Sequence, residues 1–367
     1  MKKINIGVAG CGNISGIYFK NLTSVFANTH IFAVADLIPE KAKAAQDEYG
    51  FKIMTIDELI NSPDIHIILN ITQPQNHFSI CKQALEAGKH VYVEKPLALN
   101  FEQGKELVQL AEKKGLMLGG APDTFLGAGI QTARKLVDSG FIGQPIGATA
   151  FMMNRGHESW HPSPEFYYEK GGGPMFDMGP YYLTALINLL GGVSEVSGMT
   201  SMSFPTRTIT SEPKFGKVVN VEVPTHVCGM LRFKCGAIGN IITSFDVVHK
   251  NLPFIEVYGT LGSLLVPDPN TFGGPVKVAT MDKTGYKEIP LTHNYSENSR
   301  GIGVADMAQC IIDGKRNNRA GGALINHVLE ILCAIDESNN SGTRYAMTTS
   351  YQPGPALPAD LVTGMVV

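Results

Sequence analysis

The sequence predicts two domains: an N-terminal doubly wound parallel sheet of the α/β class, and a C-terminal domain with an open, mainly antiparallel β-sheet and flanking helices. Short apolar strands alternate with helical stretches up to about residue 122, whereas strand signals dominate from residue 146 onward. The length of 367 residues also suits two domains rather than one. We expect a first domain over 1–122, a second over 123–346 and an extended tail over 347–367.

The first 122 residues contain short, apolar strand candidates separated by helical stretches. Strands are predicted at 4–9, 31–36, 65–71 and 90–93, and helices at 15–25, at 39–49 and in the stretch closed by Gly88. Strands that are apolar throughout are buried on both faces, which is typical of a parallel sheet covered by helices. This alternation predicts the doubly wound arrangement.

The second half of the chain has a different pattern. Asp123 is predicted to open an amphipathic helix ending near Gly140, where it either caps that helix or contacts a substrate. Strands are predicted at 146–153, 218–223, 227–233, 237–247, 254–258 and 263–266, with helices at about 178–190, 303–313 and 323–338. The short turns between strands indicate antiparallel pairing. Prolines prevent a helix in the tail, which is either a docked arm or disordered.

The composition excludes several classes of protein. A formal net charge of −3 without a long basic run argues against nucleic-acid binding. The apolar runs fall short of the ~20 residues that a membrane-spanning helix needs, and the N-terminal run predicts a first strand rather than a signal peptide. The six cysteines are scattered without a C-x-x-C pair, as is typical of reduced thiols. We therefore expect a cytoplasmic protein with neither nucleic-acid nor membrane partners.

The first motif is a glycine-rich turn between the first strand and the first helix. It consists of Gly10, Cys11, Gly12, Asn13 and Ile14, and Ser15 replaces the third glycine of the usual fingerprint. Such a turn lets backbone N–H groups approach a pyrophosphate at the positive end of the helix. Asp36, which ends the second strand, would accept hydrogen bonds from adenosine ribose hydroxyls and repel a 2′-phosphate. The motif predicts a dinucleotide cofactor, NAD in preference to NADP.

The second motif is Glu94-Lys95-Pro96, which directly follows the predicted strand at 90–93. Ligands of open α/β sheets bind beyond the carboxyl ends of the strands, so we expect Lys95 to point into the ligand crevice. A charged side chain between an apolar strand and a proline is poorly explained as solvated surface. Lys95 is therefore a candidate catalytic residue.

Several segments together resemble the Gfo/Idh/MocA oxidoreductases, the relatives of glucose–fructose oxidoreductase and inositol dehydrogenase. They are Gly10-x-Gly12, Thr72-x-Pro74-x-x-His77, Gly88-Lys89-His90-Val91-x-x-Glu94-Lys95-Pro96 and Gly171-Gly172-Gly173-Pro174-Met175-Phe176-Asp177-Met178-Gly179-Pro180-Tyr181. The resemblance covers about residues 4–345. It implies a Rossmann domain, nicotinamide-dependent redox chemistry on sugars, polyols or related small molecules, and a homodimer or homotetramer associating through the C-terminal sheet. It also implies that Thr72, Pro74, His77 and Glu94 lie at the cofactor crevice.

Tyr181 departs from the family pattern, because many members carry a catalytic histidine at this place. Tyrosine occupies it in the glucose–fructose oxidoreductase branch and in dihydrodiol-type dehydrogenases. A phenol has a pKa of about 10, so a base here needs a cation such as Lys95 nearby; the alternative is that Tyr181 only packs in a helix. In our hypothesis Lys95 donates to the substrate oxygen, Tyr181 takes its proton, and Asp177 on the same helix face orients a neighbouring hydroxyl.

The segment His157-Glu158-Ser159-Trp160-His161 matches the zinc-protease pattern H-E-x-x-H. That motif needs a helix to place both imidazoles on one face, and the flanking Gly156 and Pro162 argue against one. No metal is therefore expected. A candidate substrate loop is formed instead by Arg155, His157, Trp160 and His161, with the single Trp as a platform for a sugar ring. The alternative is a packed loop with satisfied histidines.

Two other functions remain compatible with these residues. One is an enzyme that uses tightly held NAD for a net non-redox reaction on a glycoside. The other is a non-catalytic sensor that binds dinucleotide, although a sensor needs neither Lys95 nor a proton-transferring group at position 181. The leading hypothesis is an NAD(P)-dependent oxidoreductase acting on a CH–OH group.

Overall fold

The computed structural model describes residues 2–281 and 285–367. The first sheet contains β1 (Ile4–Ala9), β2 (Thr29–Ala35), β3 (Lys52–Ile53), β4 (Ile67–Asn70), β5 (His90–Val93) and β6 (Leu118–Gly120). These strands are connected by α1 (Ser15–Ser24), α2 (Pro39–Tyr49), α3 (Ile56–Asn61), α4 (Pro74–Glu86) and α5 (Phe101–Lys114). The strands are parallel in the order β3-β2-β1-β4-β5-β6, which is that of a Rossmann sheet and confirms the predicted fold class.

Local sequence chemistry fixes several of these elements. Helix α2 begins at Pro39, whose fixed φ suits the first helical position, and ends at Gly50, which takes the left-handed conformation with φ of 77°. Both bounds match the prediction. All four residues of β4 are buried, because helices cover both faces of the strand. The carboxyl ends of β1, β4 and β5 therefore meet at one edge of a rigid sheet.

The second part of the chain contains more strands than the sequence predicts. Its elements are α6 (Ala128–Asp138), β7 (Pro145–Met153), α7 (Gly173–Leu190), β8 (Val193–Ser201), β9 (Thr206–Thr208), β10 (Val218–Asn220), β11 (His226–Phe233), β12 (Ile238–Ser244), β13 (Ile255–Gly259), β14 (Gly262–Val266), β15 (Val276–Thr280), β16 (Lys287–Ile289), α8 (Ile302–Ile312), α9 (Gly322–Ser341) and β17 (Tyr345–Ala346). The prediction missed β8, β9, β15, β16 and β17. It also extended the strand at 218 too far.

The main sheet of this part has the order β16-β15-β14-β13-β7-β12-β11-β8-β17. Strands β7 and β12 run parallel, and the other neighbouring pairs in the described chain run antiparallel. The sheet is thus mixed but mainly antiparallel, as predicted. Helices α7 and α9 pack against one face of it. The short strands β9 and β10 form a separate hairpin.

Asp123 caps a helix, but not the one predicted. It precedes a short 3₁₀ turn without capping it, and α6 starts only at Ala128. Its Oδ2 atom instead accepts hydrogen bonds from the backbone N–H groups of Gly301 (2.8 Å) and Gly303 (3.1 Å), at the start of α8. Because Gly301 has no side chain, the buried N–H groups of α8 obtain their acceptor from Asp123.

This carboxylate should make stability depend on pH. Burial raises the pKa of Asp123 to about 6, although the N–H groups of Gly303 and Gly301 oppose the shift. Its contribution to the free energy of unfolding is therefore full below about pH 4 and is lost as the pH rises through about 6, by roughly 2–3 kcal/mol. Asp123→Asn keeps an acceptor without titrating, so urea denaturation should show a flatter dependence over this window.

The exposed Asp138 at the end of α6 provides the matched control for this prediction. Asp138→Asn should leave the pH dependence of the unfolding free energy as it is in the unmodified protein. An Asp123→Asn variant with an unchanged slope between pH 4 and 6 would contradict the assignment.

The tail is a docked arm. Leu357, Leu361 and Val366 are buried, and the Leu357 N–H donates to Gln131 Oε1 of α6 (2.8 Å). Farther along, the carbonyl of Gly364 accepts from the N–H of Ala27 in the first domain (3.2 Å). The arm therefore contacts both parts of the chain.

Residues beyond 300 also cover part of the first sheet. Helix α8 packs against β1 and β6, and α9 packs against α5 and β6. The carbonyl of Ala305 accepts from Asn28 Nδ2 (2.9 Å), and the carbonyl of Ala320 accepts from the N–H of Gly120 (2.9 Å). Packing and hydrogen bonds thus both fix residues beyond 300 against the first domain.

Within the described ranges, none of the helices is long and apolar enough to cross a bilayer.

Candidate active site

The glycine turn lies between β1 and α1, where the sequence predicts it. Gly10 has φ of 106°, and a Cβ atom there would lie 2.8 Å from the carbonyl oxygen of Ile71, so only glycine fits. No atom lies within 4 Å of the position that a Cβ of Gly12 would take, so the backbone there is open to a ligand. The Ser15 hydroxyl donates to the carbonyl of Gly12 (2.7 Å) and fixes the turn.

Asp36 lies beside this turn at the end of β2. Its Oδ2 atom accepts from the N–H of Cys11 (2.7 Å), and its Oδ1 atom accepts from the N–H of Ile38 (2.8 Å). The carboxylate is half-buried, with further lone pairs for ribose hydroxyls. The open backbone of Gly12, the start of α1 and Asp36 together fit a dinucleotide, with Asn13 and Ile14 between the turn and the helix.

The neighbouring motif residues contact one another beyond the ends of β4 and β5. Thr72 donates through its hydroxyl to Asn70 Oδ1 (2.7 Å), and Pro74 starts α4. His77 is fully buried, and its ring nitrogens lie 2.7 Å from the carbonyl of Pro96 and 3.0 Å from that of Thr72. Burial lowers the pKa of His77. This histidine therefore joins the loops after β4 and β5.

Lys95 follows β5 and reaches across to α7. Its Nζ atom donates to Asp177 Oδ1 (2.7 Å) and to the Asp177 carbonyl (2.8 Å), and the side chains of both residues are mostly buried. Burial would lower the pKa of Lys95, but Asp177, Tyr181 and Glu94 outweigh it and raise it. The Lys95 ammonium is therefore fixed in position and stays charged at neutral pH.

Asp177 is shared by two partners. Burial would raise its pKa, but Lys95 and His157 outweigh this effect and lower the pKa to about 2. The second oxygen, Oδ2, lies 3.3 Å from His157 Nε2. Both oxygens thus contact protein groups and, as at Asp36, each keeps a further lone pair, so the role we expected for Asp177, orienting a substrate hydroxyl, stays a prediction. The geometry makes Asp177 the anchor of Lys95.

Tyr181 lies one turn after Asp177 on α7 and is buried, with Lys95 Nζ 5.3 Å from its ring centroid. The sequence hypothesis placed a cation here, and the structure brings one close. Burial nevertheless raises the pKa of Tyr181, against the opposing effect of Lys95 and then of Arg300. The charge of Lys95 is largely compensated by Asp177, so Lys95 alone does not bring the phenol below its ordinary pKa.

The H-E-x-x-H segment is not helical, and its residues point to different partners. His157 packs among aromatic rings, with ring centroids 3.9 Å from Tyr167 and 4.6 Å from Phe245. Glu158 pairs with Arg207 (3.1 Å). Across the described residues, no group of His, Cys, Asp or Glu side chains is arranged to hold a metal ion. The segment therefore has the geometry of a packed loop.

Three of the four residues of the candidate substrate loop, His157, Trp160 and His161, contact one another, and Arg155 lies apart. His157 reaches Asp177, but its Nδ1 atom is buried and has no hydrogen-bond partner in the described chain. Trp160 is 61% exposed and contacts His157 and His161 edge-on, which leaves its ring available to a ligand. Arg155 is exposed and lies over the ring of Phe204 (5.3 Å). Trp160 and His161 thus flank the cluster around Lys95, while Arg155 lies aside.

Comparison with known proteins supports the family resemblance that the sequence motifs indicate. Residues 4–120 match the oxidoreductase family with an NAD-binding Rossmann fold, and residues 130–265 match the C-terminal domain of the same family. The chain belongs to the Gfo/Idh/MocA family. The two matched segments cover most of the chain, as the motifs predict.

Two sequence relatives illustrate the range of this Gfo/Idh/MocA family. A levoglucosan dehydrogenase of Pseudarthrobacter phenanthrenivorans is 26% identical over 296 residues, covering 72% of this chain and 74% of that enzyme. An inositol 2-dehydrogenase/D-chiro-inositol 3-dehydrogenase of Lactiplantibacillus plantarum is 30% identical over 167 residues, so the chain spans only 46% of that relative.

A solved structure shows the same fold. Levoglucosan dehydrogenase in complex with NADH and L-sorbose superposes with a TM-score of 0.82 at 23% identity, covering 95% of this chain and 99% of that one.

Arg300 is the site residue that sequence reasoning missed. It precedes α8, its guanidinium donates to Asn270 Oδ1 (2.6 Å), and Tyr181 is among the groups that raise the pKa of Arg300. No motif of the Gfo/Idh/MocA family that we recognised in the sequence includes it.

Proposed function

We propose that this protein is an NAD-dependent dehydrogenase that oxidises a CH–OH group of a sugar or polyol, or reduces the corresponding carbonyl. The observation that carries the proposal is the cluster of Lys95, Asp177 and Tyr181 at the carboxyl end of β5, beside an open glycine turn. Relatives named as dehydrogenases of levoglucosan and inositol support the substrate class.

The residues of the site have the following proposed roles. The turn from Gly10 to Ile14 and Asp36 would hold NAD, with Thr72, Pro74, His77 and Glu94 shaping its crevice. Bound nicotinamide supplies the acceptor for the two electrons and the hydrogen that leave the substrate carbon. Lys95, held by Asp177, donates a hydrogen bond to the substrate oxygen and stabilises negative charge there. Tyr181 would accept the hydroxyl proton in its ionised form, and because burial raises its pKa the neutral phenol would donate that proton in the reductive direction at neutral pH.

The outer part of the site is proposed to receive the sugar ring. Trp160 presents an exposed aromatic surface near His161, and sugar rings pack their C–H faces on such rings. His157 supports this wall from behind, through its contacts with Tyr167 and Asp177. Arg155 would contact only a substrate that extends beyond this wall.

Asp36 should decide between the two dinucleotides. Asp36→Ala removes a carboxylate that would accept hydrogen bonds from the ribose hydroxyls of NAD and repel the 2′-phosphate of NADP. A hydrogen bond to a charged group of this kind contributes ~1.5–3 kcal/mol. We expect kcat/KM with NAD to fall by roughly 10–100-fold and the ratio of NADP to NAD activity to rise. Steady-state kinetics with both cofactors measures this. The exposed Asp47 of α2 gives the control: Asp47→Ala should leave the ratio unchanged.

The function is tested by nicotinamide absorbance against a panel of aldoses, polyols, inositols and glycosides, with NAD and NADP supplied separately. Reduction of NAD by at least one sugar or polyol supports the proposal and identifies the substrate. Cofactor binding without any reduction would overturn it. Turnover of a glycoside without released NADH would instead indicate a net non-redox enzyme.

We also propose a homodimer or homotetramer that associates through the main C-terminal sheet. The face opposite α7 and α9 exposes apolar side chains on adjacent strands, with Met199 at 78%, Met230 at 60% and Ile238 at 54% exposure. Patches of this kind commonly mark interfaces.

All six cysteines are free thiols, which supports a reducing, cytoplasmic location.

A further inference from the structure

His157 is a buried residue, 6% exposed, whose imidazole contacts the carboxylate of Asp177. Its Nε2 atom lies 3.3 Å from Asp177 Oδ2, whereas Asp177 Oδ1 accepts from Lys95 Nζ at 2.7 Å. The carboxylate therefore lies between an imidazole and an ammonium, and each of them contacts a different oxygen. A carboxylate held in this way cannot rotate about its Cβ–Cγ bond without losing a contact.

The surroundings of the His157 ring determine which nitrogen carries its proton. Burial would raise the pKa of Asp177, but Lys95 and His157 lower it to about 2, so both Asp177 oxygens can only accept hydrogen bonds at neutral pH. The other ring nitrogen, Nδ1, is buried and has no hydrogen-bond partner within residues 2–281 and 285–367. A neutral ring protonated on Nδ1 would leave a buried donor unpaired and set two acceptors against each other. The Nε2 atom therefore carries a proton and donates to Asp177 Oδ2.

The backbone is fixed on both sides of His157. Gly156 has φ of 95°, and a Cβ atom there would collide with the carboxylate of Glu158, so the turn into His157 requires glycine. The carbonyl of Glu158 accepts from the N–H groups of Thr210 and Ser211 (both 2.9 Å), between β9 and β10. The ring itself packs among aromatic side chains. The imidazole thus has a fixed position from which to hold Asp177.

We propose that His157 is a positioning residue: its Nε2–H group fixes the Asp177 carboxylate, which in turn holds the Lys95 ammonium where it meets the substrate oxygen. The inference rests on the proposed dehydrogenase function. His157 acts through Asp177 and Lys95, in place of the direct substrate contact that the sequence predicts for it.

The hydrogen bond is tested first without substrate or cofactor, by NMR spectroscopy. The chain has ten histidines, so isotope labelling of histidine alone gives a simple spectrum, and the ring signals lost in both His157→Phe and His157→Gln belong to His157. We expect a proton on Nε2 whose resonance shifts in Asp177→Asn, because the acceptor loses its charge. The exposed Asp47 gives the matched control, and Asp47→Asn should leave this resonance unchanged. An unprotonated Nε2 atom, or a resonance that Asp177→Asn does not move, would overturn the inference.

Kinetics then separates positioning from substrate contact. His157→Phe keeps an aromatic ring in the cluster but removes the donor. We expect kcat to fall by roughly 10–100-fold with little change in KM, because a displaced Lys95 ammonium no longer meets the substrate oxygen correctly. His157→Gln keeps an N–H donor and should recover most of the lost turnover. A raised KM with unchanged kcat would mean that His157 contacts the substrate, and would overturn the inference.

A double variant tests whether the effect passes through Lys95. In a Lys95→Met background, His157→Phe should cost less than about threefold, because Asp177 then has no ammonium to place. An equal loss in both backgrounds would contradict the proposal. The exposed His30 of β2, which contacts Asn5 (3.0 Å), gives the control: His30→Phe should leave turnover unchanged. If the unmodified protein turns over no sugar or polyol, the dehydrogenase function is refuted, whereas the spectrum still decides whether His157 holds Asp177.

Discussion

Replacing Lys95 by methionine should lower turnover by at least about 100-fold while leaving NADH affinity within a few-fold. Lys95 is the donor of the proposed site that Asp177 holds in a fixed position, and one preorganised donor of this kind contributes about 10²–10³ in kcat. We expect the affinity for NADH to depend instead on the glycine turn and Asp36. Steady-state kinetics and fluorescence titration with NADH measure the two effects separately.

The chain offers a matched control for this variant. Lys82 of α4 pairs with Glu106 at the same 2.7 Å distance but on the surface, so Lys82→Met should leave turnover unchanged. Near-normal turnover in Lys95→Met would contradict the catalytic assignment.

Loss of the Lys95 ammonium also changes stability. In the Lys95→Met variant, Asp177 would stay buried, which raises its pKa. It would also lose the ammonium of Lys95, the main charge that lowers its pKa. In the unmodified protein, the contribution of Asp177 to the free energy of unfolding is present above pH ~4 and is lost as the pH falls toward 2. In the Lys95→Met variant, the contribution of Asp177 would instead decline as the pH rises above about 4. Breaking a mostly buried pair costs about 3–5 kcal/mol. The double variant Lys95→Met/Asp177→Asn should recover stability but not turnover.

Replacing Tyr181 by phenylalanine should lower turnover by about 10²–10⁴-fold, the usual contribution of a positioned base. The ring and its contact with Lys95 remain, so the fold and NADH affinity should change little. The acid limb that Tyr181 gives to the pH profile of the oxidation should disappear. Stopped-flow absorbance across the pH range measures both effects.

Two further substitutions sharpen this test. Tyr181→His installs the family's more common base, whose ordinary pKa is about 6.5, and should restore part of the activity with an acid limb at lower pH. The buried neighbour Tyr182 serves as control, and Tyr182→Phe should retain normal turnover. Full activity in Tyr181→Phe would remove Tyr181 from the mechanism.

The first domain was the most predictable part of the chain, because its signals are local. Pro39 and Gly50 define α2 at both ends, and the glycine turn lies between a strand and a helix as expected. The proximity of Lys95 to Tyr181 was anticipated through the family resemblance rather than from spacing. Local patterning and recognisable motifs together thus described the cofactor side of the site.

The remaining features depend on contacts between distant segments. Strand β8 carries several small and polar residues and was missed, because pairing with β11 rather than apolar alternation holds it in the sheet. Asp123 carries a capping signal, but only tertiary packing reveals that it caps α8. Arg300 has no motif around it, and its electrostatic effect on Tyr181 becomes visible only in the folded chain.

The packing of α8 and the docked arm has a consequence for how this protein can be divided. A fragment ending at residue 122 would lose the helix that covers β1 and β6, together with the acceptors that Ala305 and Ala320 give to Asn28 and Gly120. Its exposed apolar surface would favour aggregation over independent folding. A chimera that exchanges nucleotide-binding halves between relatives should therefore carry over residues 298–321 and the arm as well.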